Sequence, residues 1–78
     1  MDTQWKRLNQ VFQDVFEDDA INVDESTTAA DIEDWDSMKH VSLMLAVERE
    51  FQLRFSASEI AQLASVGELM ELVKEKST

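Results

Sequence analysis

Ser37 is the residue best placed to do chemistry. In Asp34-Trp35-Asp36-Ser37-Met38 a hydroxyl follows a carboxylate, directly ahead of an apolar helical pattern. An oxygen-bearing side chain there can serve as a helix cap, accepting one of the free backbone N–H groups of the first turn. The same hydroxyl can serve as an attachment point, exposed and rigidly held, on a surface suited to a cationic partner. From Leu8 to Met38 there are ten Asp or Glu residues and no Lys or Arg. Other chemistry is sparse. His40 is the single histidine and cysteine is absent, so no constellation of acid, base and nucleophile is visible. His40 also lacks companions at metal-ligand spacing and reads as an ordinary surface or boundary residue. Asp18-Asp19 and Asp31-Glu33-Asp34 lack the Gly and terminal Glu of a calcium loop, and read as a solvated acidic face. No metal site is expected. Trp5 and Trp35 read as core anchors.

The elements that position Ser37 must come from a chain of 78 residues, enough for one domain with one modest core over 1–78. Without cysteine there is no disulfide to staple it, which suits a reducing compartment. Met1 to Arg7 shows no apolar leader and Val41 to Val47 is too short to span a bilayer, so a cytoplasmic, monomeric protein with no membrane insertion is expected. A net charge of −10 repels phosphates and excludes nucleic acid as partner; it favours basic protein surfaces. Two Trp and four Phe, with abundant Leu, Val and Ile, separate the chain from a disordered acidic tail.

The periodicities are helical throughout and hairpin signals are absent. Trp5, Leu8, Phe12, Val15 and Phe16 make one apolar stripe, predicting a first helix from about Thr3 to Phe16 with Asp2 or Thr3 as cap. It stops at Glu17-Asp18-Asp19, where negative charge meets the negative end of the helix dipole. Ala20 to Asp36 is a long connection, anchored by Ile21, Val23, Ile32 and Trp35. A second helix starts at Asp36 or Ser37 and ends near Phe51. Ser56-Ala57-Ser58-Glu59 has capping-box spacing ahead of a short third helix, from about Ser58 to Leu63. Ser65-Val66-Gly67-Glu68 repeats that spacing before a last helix, which carries Val66, Leu69, Leu72 and Val73 on one face and closes with Lys74 and Lys76. The expected class is all-α: a four-helix bundle with three longer helices and a short third one.

The second helix has more apolar surface than docking needs. Leu43, Val47 and Phe51 align at i, i+4 and i+8 and suffice to seat it. Met38, Val41 and Leu45 lie on another side, with Met44 at its boundary and Glu48 at its far end. A spare apolar face that begins at Ser37 is expected to be a docking surface, with methionines suited to re-packing against partners. The competing expectation is that these residues pack beneath the long connection.

With these residues in place the chain resembles the acyl carrier proteins. The family's Asp-Ser-Leu is present as Asp36-Ser37-Met38. Its second helix with a closing Glu-Phe corresponds to Val41 through Glu50-Phe51, its third-helix segment to Ser58-Glu59-Ile60, and the Val-Gly opening its fourth helix to Val66-Gly67. The tripeptide alone is common; the tripeptide at these distances from Glu50-Phe51 and Val66-Gly67 is specific. The resemblance implies that Ser37 takes a 4′-phosphopantetheine arm from coenzyme A through a separate phosphopantetheinyl transferase. It implies that Asp36 caps the helix and approaches the transferase's magnesium ion. It implies a docking face of Met38, Val41, Met44, Leu45 and Glu48. The acyl group then rides as a thioester on the arm, loaded by a ligase or acyltransferase and passed to a downstream synthase or transferase, and the protein is a carrier rather than an enzyme.

The chain departs from the pattern at two places. Ile32-Glu33-Asp34-Trp35-Asp36-Ser37 has no glycine before the serine, and Lys39, His40 and Ser42 stand where carriers of fatty acid synthesis tend to keep acids. These departures predict a specialised pathway, secondary-metabolite or cell-envelope acyl transfer, rather than housekeeping fatty acid synthesis. The alternative is a small acidic helical interaction module without a prosthetic group, in which Ser37 is only a cap.

Overall fold

The computed structural model describes residues 3–76, and among them there are four α-helices and no strand. Helix α1 spans Thr3–Phe16, α2 Ser37–Phe51, α3 Ala57–Gln62 and α4 Val66–Lys76. Each boundary has a local cause. The backbone turns left-handed at Glu17 (φ 52°), where the Asp18 N–H reaches back to the Gln13 carbonyl at 3.0 Å. Gln52 (φ 55°) ends α2 in the same way, with the Leu53 N–H on the Glu48 carbonyl at 3.1 Å. In this motif the first residues beyond the helix satisfy carbonyls left open by its last turn. Ser56 and Glu59 form a reciprocal capping box, so α3 starts at Ala57, one residue earlier than its sequence pattern predicts. Ser65 Oγ accepts the Glu68 N–H at 3.3 Å at the start of α4. Asp2, one of the two candidate caps of α1, lies outside the described residues; Thr3 is already helical.

Helices α1 and α2 pack against each other and run antiparallel. The Arg7 Nε–Glu50 Oε2 ion pair (2.9 Å) joins the start of α1 to the end of α2. At the other end, Lys39 Nζ donates to the Val15 carbonyl at 3.0 Å. The core between them is built from Leu8, Phe12 and Phe16 of α1 and Leu43, Val47 and Phe51 of α2, closed by Val66, Leu69 and Val73 of α4. Val11 and Met70 are buried as well, although the apolar stripes read from the sequence omit them.

The connection from Ala20 to Asp36 is ordered by polar side chains of α1. Asn9 pairs with both backbone groups of Val23, and Gln13 Nε2 donates to the Ile21 carbonyl at 2.9 Å. Val23 is buried, and Ile21, Ile32 and Trp35 pack on the core, so the four anchors hold. A 3₁₀ turn at Ala29–Asp31 interrupts the connection and opens on Thr28 and Asp31, which have capping-box spacing. No helix among the described residues is long and apolar enough to cross a membrane.

Candidate functional site

Asp36 sits in extended conformation immediately before α2, and its Oδ1 accepts the Lys39 N–H at 2.9 Å. Its carbonyl accepts the His40 N–H at 2.8 Å, which starts the helical ladder. Ser37 is the first helical residue and is exposed. Because Asp36 does the capping, the Ser37 hydroxyl is left free: among the described residues it makes no hydrogen bond. The N–H groups of Ser37 and Met38 likewise have no acceptor among the described residues. Such N–H groups at the positive end of a helix favour a phosphate. The donors present therefore fit a phosphodiester on Ser37.

Lys39 does not contribute a free charge to this end of α2. Its ammonium donates to the Val15 carbonyl in the last turn of α1 and lies 5.9 Å from the centre of the Phe16 ring. Glu33 and Asp34, both exposed, leave the approach to Ser37 acidic. Among the described residues no group of His, Cys, Asp and Glu is arranged to hold a metal ion.

Met38, Val41 and Leu45 share one face of α2 and are 81%, 52% and 55% exposed. They do not pack beneath the connection. Met44 requires a correction. It is only 1% exposed and belongs to the core with Leu43 and Val47, so it presents nothing to a docking partner. It lies in the core cluster with Leu69 and lines a small cavity together with Leu69 and with Ala29 and Trp35 of the connection. Glu48 is partly buried, and its Oε2 accepts the Phe55 N–H at 2.7 Å, which commits the carboxylate to holding the α2–α3 loop.

The model of phosphopantetheine attachment sites matches residues 6–73, most of the chain. The chain belongs to this family, that of the acyl carrier proteins. Among solved structures, the solution structure of a holo acyl carrier protein from Geobacter metallireducens superimposes with a TM-score of 0.86 at 36% identity. The match covers 92% of this chain and 83% of that one. No curated protein matches the chain. The carrier's prosthetic group is thus phosphopantetheine and its role is that of a carrier, not an enzyme.

One part of the carrier's site escapes sequence reasoning. His40 is neither a surface nor an idle boundary residue. Its Nδ1 accepts the indole N–H of Trp35 at 3.0 Å, and its Nε2 lies 2.9 Å from the Ile60 carbonyl of α3. Acceptance at Nδ1 fixes the tautomer, so Nε2 carries the proton and donates to Ile60. The two rings stack at 5.9 Å, and Trp35 also meets Phe12 edge-on at 5.5 Å. His40 thereby ties the connection, α2 and α3 together around the base of Ser37. Trp35 and His40 stand on opposite sides of the helix cap, and no periodicity spans that boundary to signal the pair.

Proposed function

We propose that Ser37 is the attachment serine of this carrier, a single carrier domain over residues 1–78 that acts in the cytoplasm as a monomer. The observation that carries the reading is the free, exposed Ser37 hydroxyl at the first position of α2, beside a carboxylate already engaged in capping. A phosphopantetheinyl transferase approaches the acidic end of α2. The Ser37 oxygen bonds the phosphorus of coenzyme A's phosphopantetheine, its proton passes to a base of the transferase, and the nucleotide portion leaves. A phosphodiester at this position would be favoured by the unpaired N–H groups of the first turn. Asp36, with only one oxygen engaged by the Lys39 N–H, would have the other available to the transferase's magnesium ion. The arm supplies a terminal thiol that holds the acyl group as a thioester.

Met38, Val41 and Leu45 form the docking face for the transferase, the loading ligase or acyltransferase, and the accepting synthase. Along α2 the first acid after Ser37 is Glu48, and its carboxylate is tied to Phe55. The face therefore engages partners by apolar contact more than by charge. This supports a dedicated partner set in secondary-metabolite or cell-envelope acyl transfer over housekeeping fatty acid synthesis. Turnover of the acylated carrier by a housekeeping ketosynthase as fast as that enzyme's own carrier would refute the assignment.

Intact mass after coexpression with a promiscuous phosphopantetheinyl transferase tests the attachment site. The expected result is a gain of one phosphopantetheinyl group by the wild type and none by Ser37→Ala. An unmodified wild type that is folded overturns the reading.

A further inference from the structure

A small, partly open cavity of about 90 Å³ lies beside α2, lined among others by Ala29, Trp35, His40, Met44, Leu63 and Leu69. Ser37, His40 and Met44 follow one another at i, i+3 and i+7, so they form a single stripe of α2 that leads from the attachment position into the cavity. Along the helix axis the distance from Ser37 to Met44 is about 10 Å. On this stripe His40 lies between Ser37 and Met44, and Trp35, hydrogen-bonded to it, lines the same cavity.

The pair is closed. The indole N–H and both imidazole nitrogens are occupied by hydrogen bonds within the protein. The bond to the Ile60 carbonyl satisfies one of the acceptors left open in the last turn of α3, so parting the pair from α3 would leave that carbonyl without its partner. What remains available in the cavity is mainly ring faces, Met44 and the aliphatic side chains. A cavity of about 150 Å³ accepts benzene, which scales here to room for roughly three or four carbon atoms.

We propose that the Trp35–His40 latch sets the size of the cargo this carrier can shelter, admitting a short apolar acyl group and keeping longer chains outside the bundle. The inference deepens the attachment reading and rests on it. Trp35 and His40 are specificity-determining residues in this account, acting through the room they leave in the cavity and not through the thioester.

The test loads the full-length carrier with butyryl or octanoyl groups from the corresponding acyl coenzyme A, using a promiscuous phosphopantetheinyl transferase and checking each product by intact mass. Amide chemical shifts of Ala29, Leu63 and Leu69 are then compared with those of the carrier bearing the unacylated arm. In the wild type, butyryl moves these amides and octanoyl leaves them as they are. In His40→Ala octanoyl moves them. His40→Gln, whose amide can accept from Trp35 and donate to Ile60, restores the wild-type pattern; circular dichroism confirms that both variants are folded. Octanoyl shifts in the wild type as large as those of butyryl would overturn the proposal, as would a folded His40→Ala that still leaves octanoyl outside. Failure of Ser37 to gain the group is a separate result, seen by mass, which removes the attachment reading and this inference with it.

Discussion

Gly67 lies so close to Glu25 that a Cβ built on it would stand 2.7 Å from the Glu25 carbonyl oxygen. Its φ is not positive, so the glycine is there for space and not for an unusual turn. Beside it the Val66 N–H donates to the Thr27 carbonyl at 2.8 Å, fastening the start of α4 to the connection that leads to Ser37. The atom in the way is backbone and cannot swing aside. Gly67→Ala is expected to displace α4 from the connection and to destabilise the fold by about 1–3 kcal/mol. Urea denaturation followed by circular dichroism measures this; an unchanged midpoint would mean that the contact relaxes at no cost.

Met38, on the proposed docking face, and Met44, in the core, should behave in opposite ways. Met44→Ala removes a buried side chain and is expected to cost about 2–5 kcal/mol. Met38→Ala, at a position 81% exposed, is expected to stay within about 0.5 kcal/mol of the wild type. In partner assays the order reverses: Met38→Ala weakens the interaction with the transferase, measured as kcat/KM for Ser37 modification, while leaving the unfolding midpoint in place.

Asp36 caps α2, and its proposed part in modification is separable from that. Asp36→Ala deletes the cap and is expected to lower stability by about 1 kcal/mol. Asn is as good a cap as Asp, so Asp36→Asn should keep the wild-type melting temperature while slowing modification by the transferase, because the charge offered to its magnesium ion is gone. Equal modification rates for Asp36→Asn and the wild type would confine Asp36 to capping.

Acid should loosen the carrier at two identifiable places. Hydrogen bonds from the Ser26 side chain and backbone hold the Asp24 carboxyl below its ordinary value, and the Ser56 backbone N–H followed by Lys76 does the same for Glu59. A carboxyl depressed in the folded state contributes stability that is complete above its unfolded value and is lost as pH falls through the folded one. Both groups are at the surface, so the contribution is modest. The combined variant Asp24→Asn, Glu59→Gln is expected to lose less stability than the wild type between neutral pH and the acidic side of the carboxylate range, read as the change in urea midpoint.

The sequence by itself determined the helices, because the causes of their limits are local. Thr3–Phe16 and the start of α2 follow from apolar spacing and the Asp36 cap, and the α3 box follows from Ser56 and Glu59 three residues apart. Ser37 was legible from the sequence as either a cap or an attachment point; the Asp36 cap is what leaves its hydroxyl free. Only the tertiary structure decided which apolar residues of α2 face inward. Met44 sits at the edge of two stripes, and the packing settles its side: it joins the core with Leu43, Val47 and Leu69, while Met38 meets water. Glu48 reads as the far end of the docking face until the loop at Phe55 is brought against it, and only the fold brings Lys39 to the end of α1. The Trp35–His40–Ile60 bridge joins three elements, and a one-dimensional pattern records the spacing within an element, never the partner that another element supplies.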